Sequence, residues 1–262
     1  STILLFLNTT KAISSDIPIL VIAPSKKPQS ISTVGTSVVV LDEKFLQSSS
    51  EYFLGDVLSN NSTSANFFQN GGHGSTSAIQ LRGLPKRYST VYIDGVKMSD
   101  PSSVSGDFDF NHILTSQISR VEILKGNQSS VYGSGAIGGT INITTKKGKE
   151  GQQKSLMFNA GSYKTHNYSA SLSGADEISN YYLGFEKFHT DGMSAMTHND
   201  EKDRYRNNGL IASYSKKFSN KFELKSNARF AETYLQYDAV CLSNLFGCSP
   251  NFDHSEEADG LE

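Results

Sequence analysis

The spacing of apolar residues changes character about halfway along the chain. Before residue 147 the apolar runs are short and mixed in type. Thr36–Leu41, with Val38, Val39 and Val40 in a row, is rich in β-branched residues and predicts a strand. Asp42 then stands where a helix N-cap belongs, ahead of Glu43-Lys44-Phe45-Leu46. Ser48 followed by Glu51 matches a capping box, and Tyr52, Phe53, Leu54, Val57 and Leu58 give the next segment an apolar face. Asn60–Gly74 is dense in Asn, Ser and Gly and predicts a loop. Short strands are expected at Ala78–Arg82, Val91–Ile93, Arg120–Leu124 and Thr140–Thr144. Strands interleaved with two short helices predict a compact α+β domain over residues 24–147.

After Lys149-Glu150 the helix signals fade and alternation takes over. In Phe222–Phe230 the residues Phe, Leu, Ser, Ala and Phe fall on one face, and Glu, Lys, Asn and Arg on the other. Leu156/Phe158/Ala160, Tyr168/Ala170/Leu172 and Leu210/Ala212/Tyr214 repeat the pattern more weakly, and Tyr181–Phe188 is a strand with less regular alternation. Connections switch between short (Thr165-His166, Ser219-Asn220) and long (Thr190–Asn208, and from Leu235 onward). Sixteen of the 27 aromatics lie in the last 112 residues, all Tyr or Phe, so the second half also has the composition of antiparallel transmembrane barrel strands. About five such strands are expected over residues 148–262. A water-soluble meander with one face on a core alternates in the same way, and periodicity does not separate the two.

At 262 residues, with 37% apolar and 19% charged residues, the chain can bury a core. A net charge of −2 provides no basic field for a phosphate backbone, so no nucleic-acid partner is expected. The longest apolar runs, Ile3–Leu7 and Ile19–Ala23, fall far short of the roughly 20 residues of a membrane helix, which leaves only strands to cross a bilayer. Ile3–Leu7 followed by Asn8-Thr9-Thr10-Lys11-Ala12 reads as the tail of a secretory signal, and residues 1–15 are expected to be its remnant; a short buried strand is the alternative. In an exported protein Cys241 and Cys248 are expected to form a local disulfide, because two cysteines cannot close a zinc site and their spacing is not C-x-x-C.

Gly133-Ser134-Gly135-Ala136-Ile137-Gly138 matches G-x-G-x-x-G. A dinucleotide site needs a helix after that loop, whereas Gly139–Thr145 is β-branched and alternating and predicts a strand. The nicotinamide-enzyme reading therefore fails on context. No H-E-x-x-H, nucleophile elbow or Walker loop is present, and the six histidines are scattered, so no enzymatic activity is expected.

The same stretch read as a whole is more specific. Ile118-Ser119-Arg120-Val121-Glu122-Ile123-Leu124-Lys125-Gly126, then Ser130–Ile143, resembles the plug signature of TonB-dependent outer-membrane receptors. Ile79-Gln80-Leu81-Arg82-Gly83 and Val91-Tyr92-Ile93-Asp94-Gly95-Val96 precede it in the order that family has them. The resemblance covers nearly the whole chain and implies an α+β plug domain followed by a truncated antiparallel transmembrane β-barrel, in the outer membrane of a Gram-negative bacterium. It also implies energy-coupled import of a scarce nutrient, with TonB pulling the plug open.

Residue roles follow from the same resemblance. Asp16–Ala23 is similar to a TonB box, with Ile17, Ile19, Leu20, Val21 and Ile22 as the TonB-binding positions; a short extended apolar segment can add to a partner's sheet edge. Pro18 departs from the commoner pattern and removes one ladder donor. Arg82, Arg120 and Glu122 are implied to sit between plug and barrel and to pair with barrel carboxylates. The run Lys86, Arg87, Tyr88 and the loop with Pro101, Ser102, Ser103 and Val104 resemble the cargo-binding plug loops of the cobalamin-receptor branch, making cobalamin the first expected cargo and a ferric siderophore the second. Asp191, Asp200 and Asp203 are similar in place to barrel-loop acids that take calcium before cargo, and carboxylates on one loop offer the hard oxygens calcium prefers; no other cofactor is expected. A structural or adhesive outer-membrane barrel with an accessory domain is the alternative, and it has no use for the apolar segment Ile17–Ile22.

Overall fold

The computed structural model describes residues 20–23, 27, 29–62, 65–100, 103, 106–193, 202–219, 221–238 and 255–261. The leader enters as a two-residue strand, β1 (Leu20–Val21), paired antiparallel with β2 (Gln29–Ser30). Next come β3 (Val38–Asp42), α1 (Glu43–Ser48), α2 (Leu54–Asn61), β4 (Ala65–Gln69), β5 (Ser77–Leu81), β6 (Ser89–Ile93) and β7 (Val96–Met98). The first half closes with β8 (Ile118–Lys125), the single-turn α3 (Ser129–Tyr132) and β9 (Gly139–Thr145). Five of these strands form one mixed sheet in the order β3-β8-β9-β6-β7, with β6 and β9 parallel and the other pairs antiparallel. β4 and β5 form a separate hairpin.

Alternation along β8 divides this domain's interior. Val121 and Ile123 join Leu41, Leu54, Val57, Leu58, Ile79, Leu81, Ile141 and Ile143 in the main core. Leu124 belongs to a second, smaller cluster on Ala23, Tyr132 and Ala136. Asp42 caps α1 as its sequence position predicts, its carboxylate accepting from the Phe45 amide at 2.8 Å.

The capping box at Ser48 and Glu51 does not form. Ser48 ends α1, donating to the Phe45 carbonyl, and the Glu51 side chain accepts from Asn60. α2 instead starts from an isolated bridge between Phe53 and Leu114, with the Leu54 amide donating to the Ile113 carbonyl. Distant backbone thus satisfies a group that a local side chain was expected to serve. The stretch 60–74 also holds more than loop: α2 runs to Asn61 and β4 lies within it, because Ala65 and Phe67 reach the core.

The second half is one antiparallel sheet in sequence order: β10 (Gly151–Ala160), β11 (His166–Ala175), β12 (Ser179–Thr190), β13 (Tyr205–Ser219), β14 (Phe222–Asp238) and β15 (Ser255–Leu261). It has six strands where about five were expected. Its register aligns Leu156, Ala170, Phe185, Leu210 and Phe230 across five strands on one face, and Met157, Ser169, Glu186, Gly209 and Ala231 on the other. In the first row Leu156, Phe185, Leu210 and Phe230 are exposed, whereas Glu186 and Ala231 are buried against the first domain.

A soluble meander would turn its apolar face inward. Here the bare face carries Leu and Phe while the packed face carries Glu, Asn and Ser, which is the polarity of a wall facing lipid. The weak alternation of Tyr181–Phe188 has the same origin, since Tyr182 is buried on the inner side and Phe188 packs on the plug while Leu183 and Phe185 point out. No helix among the described residues is long and apolar enough to span a membrane, so strands carry that role.

Candidate functional site

Three places draw together residues singled out by the sequence. The first is the leader. Val21 is fully buried and Ala23 nearly so. Glu122, 3% exposed, accepts from the Ile22 amide at 3.0 and 3.2 Å through its two oxygens and from the Ala23 amide at 2.7 Å. The Arg120 Nε donates to the same carboxylate at 2.7 Å, and the Tyr132 hydroxyl donates to the Ala23 carbonyl. The hydrogen bonds of Glu122 to the leader amides and to Arg120 all lie within the plug. A carboxylate so buried must find donors near it, and the leader backbone and Arg120 are what lies on its face of β8. Arg82 sits in the turn after β5 with φ 56°, away from the buried interior. Ile17 and Ile19 lie outside the described residues.

The second place is the contact between plug and wall. Phe53 packs edge-on against Phe188 at 5.0 Å and Tyr205 at 5.8 Å, and stacks on His73 at 4.7 Å. The Tyr205 hydroxyl donates to the Asn111 carbonyl at 3.2 Å, while Asn207 Nδ2 donates to the His112 carbonyl at 3.1 Å. Glu186 accepts from the plug hydroxyl of Ser116 and from Asn167 Nδ2 of β11 at 3.1 Å. A cleft of about 580 Å³ opens beside this contact, lined by Gln117, Lys146, Ser155, Asn167, Ser171 and Tyr182 among others. Burial pulls the Lys146 ammonium below the usual lysine range, with Glu43 opposing it. None of Ser116, Asn167, Glu186 or Tyr205 was singled out from the sequence. The one available signal was an acidic residue at an inward position of an otherwise aromatic strand.

The third place holds the expected cargo and calcium residues. Lys86 reaches Asp107 at 3.6 Å, so the run at Lys86–Ser89 and the loop Met98–Asp107, the two segments expected to bind cargo, meet. Ser103 shapes the loop, its hydroxyl accepting from the Asp107 amide at 3.3 Å, and the Arg87 guanidinium lies 4.9 Å from the Tyr88 ring centre. Pro101, Ser102 and Val104 lie outside the described residues.

At the wall's rim Asp191 meets two ammonium groups, Lys202 at 3.2 Å and Lys164 at 3.4 Å, and the His189 ring at 3.4 Å. Burial works to raise its carboxyl, but Lys202 and Lys164 outweigh this and hold it below the usual carboxylate range. Asp203 is buried nearby in sequence, and no group of three acidic, His or Cys side chains among the described residues is placed to hold a metal. Asp200, Cys241 and Cys248 lie outside the described residues.

A globular domain seated against a curtain of strands that is polar inside and apolar outside defines a plugged outer-membrane β-barrel. Residues 30–140 match the TonB-dependent Receptor Plug Domain. The vitamin B12 transporter BtuB of Vibrio vulnificus is 29% identical over 230 residues, covering 84% of this chain and 36% of that protein. BtuB of Vibrio cholerae (Classical Ogawa 395) is 30% identical over 181 residues, covering 67% of this chain and 29% of that protein. Among solved structures, the ferripyoverdine receptor of the outer membrane of Pseudomonas aeruginosa superposes with a TM-score of 0.70 at 15% identity, over 84% of this chain and 28% of that one. The ferric yersiniabactin uptake receptor FyuA of Yersinia pestis does so with a TM-score of 0.60 at 19% identity, over 78% of this chain and 32% of that one.

The chain belongs to the TonB-dependent receptors, is most similar in sequence to their vitamin B12 branch, and resides in the outer membrane of a Gram-negative cell. It spans about a third of the length of the curated relatives it matches.

Proposed function

We propose that this chain is the plug-bearing part of an energy-coupled receptor that takes up cobalamin, with a ferric siderophore as second choice. The carrying observation is the leader: an apolar segment ahead of the plug, held by a few polar bonds rather than woven into the main sheet. Such a segment can leave the plug and add to the sheet edge of TonB without dismantling the main core. The sequence likeness to vitamin B12 transporters favours cobalamin over a siderophore, because the likeness to siderophore receptors lies in the fold alone. Lys86, Arg87 and Tyr88, with the loop through Ser103, supply a polar and aromatic surface for the cargo.

The test is uptake of labelled cobalamin by cells carrying the full-length protein, with and without residues 16–23. Uptake that depends on those residues supports the proposal. Uptake unchanged by the deletion, or competition by ferric siderophore alone, overturns energised transport or the choice of cargo respectively.

A further inference from the structure

We infer that Glu122 is a receptor for the leader's main chain, competing with any incoming strand for the same amides. This rests on the proposed TonB coupling for the identity of the strand, and on geometry alone for the clasp. Glu122 lies at the middle of β8, and its neighbours Val121 and Ile123 belong to the main core. On its own face stands the small apolar cluster of Ala23, Leu124, Tyr132 and Ala136. A carboxylate there needs donors, and the leader supplies two consecutive amides. Arg120 orients the carboxylate from its own strand, and the Tyr132 hydroxyl takes the carbonyl that follows. Just upstream, Leu20 and Val21 pair with Ser30 and Gln29.

Four consecutive leader residues are thus engaged: Leu20 and Val21 in a ladder with β2, Ile22 and Ala23 on Glu122. A partner that binds by extending its own sheet through Leu20–Ala23 needs those groups, so the docked leader and the strand-added leader exclude each other. The Val21 side chain, buried beneath, makes the exchange all-or-none over these residues rather than a gradual fraying. Glu122 is a positioning residue: it touches neither cargo nor partner, and it sets how much of the time the leader is available.

The experiment uses the full-length receptor in outer-membrane vesicles, without cargo. A nitroxide is attached through Ile22→Cys, whose side chain is half-exposed. Label mobility and affinity for the isolated C-terminal domain of TonB are measured in the parent, in E122Q and in Y132F. A synthetic peptide of residues 16–23 is titrated separately against the same TonB domain.

E122Q turns one acceptor into a donor that faces an amide. It is expected to free the label and to tighten TonB binding at least tenfold, with Y132F in the same direction and smaller. An immobile label in both variants overturns the clasp. A freed label with unchanged TonB affinity, where the peptide itself binds, overturns the competition. A peptide that does not bind tells against TonB as partner, and the label then judges the clasp alone.

Discussion

Ser116 of the plug and Glu186 of the wall share a hydrogen bond across the boundary between the two parts, and Asn167 occupies the other carboxylate oxygen. Glu186 and Asn167 are both buried, so removing the carboxylate takes away a buried acceptor that Asn167 and Ser116 share. Glu186→Ala is expected to weaken plug docking by about 1–3 kcal/mol, the usual cost of stranding buried polar groups. Glu186→Gln is expected to cost less, since one acceptor survives. Denaturant titration of plug release from the full-length barrel measures both, and equal losses in the two variants would contradict this account.

The outward row predicts where charge is forbidden. Phe185→Arg places a guanidinium on the lipid face and is expected to destabilise insertion by about 2–4 kcal/mol if the row lies near mid-membrane. Ser171→Arg, which faces the polar cleft, is expected to be tolerated. Folding into lipid vesicles, followed by heat-modifiable gel mobility, separates the two.

Glycine at 133 and 139 serves backbone geometry rather than phosphate. Gly133 has φ 89° with open space around it, while Gly139 has φ 150° and a Cβ there would stand 2.3 Å from the Leu124 carbonyl oxygen. Gly133→Ala is expected to cost about 1–3 kcal/mol through backbone strain alone. Gly139→Ala adds a collision with a central strand and is expected to cost more. Thermal melts of the plug rank them, and nucleotide titration is expected to show no binding to either variant or to the parent.

Tyr132 reports on the leader through its ionisation. Burial pushes its hydroxyl up to about 12, the Asn142 side chain working against that shift and Tyr92 and Glu122 adding to it. The unfolded chain loses this proton near 10, so the neutral phenol's contribution to stability is complete below that pH and drains away as pH rises towards 12. An ultraviolet phenolate titration of the parent minus Tyr132→Phe is expected to show one late-ionising tyrosine. Deleting residues 16–19, which leaves Ala23 in place, should leave it late, and deleting 16–23, which removes Ala23, should bring it earlier.

What the sequence revealed depended on how local the physics was. The strand at Gly139–Thr145 was legible because β-branched alternation overruled a glycine pattern, and Asp42 because a cap acts on its own next turn. β4 was hidden: Ala65–Gln69 sits among Asn, Ser and Gly, and it is a strand only because β5 pairs with it and Phe67 finds the core. Glu122 was visible as part of a motif, yet its partners in the leader lie some hundred residues upstream and no periodicity reaches that far. Glu186 was missed for a related reason, since an acid inside a barrel strand has meaning only when Ser116 stands opposite. The orientation of the wall was equally beyond alternation, because inside and outside exchange when the solvent is lipid.

The wall strands lengthen along the chain, with 10, 10, 12, 15 and 17 residues from β10 to β14. Measured along the strand this is a rise from roughly 34 Å to roughly 58 Å, against an apolar belt of only about 25 Å. The extra length falls at both ends: Lys217–Ser219 run past β12 on the short-turn side, and Gln236–Asp238 run past β13 on the other. Even tilted by about 45°, β14 is long enough to stand proud of the belt at both faces of the bilayer, like a stave taller than its cask.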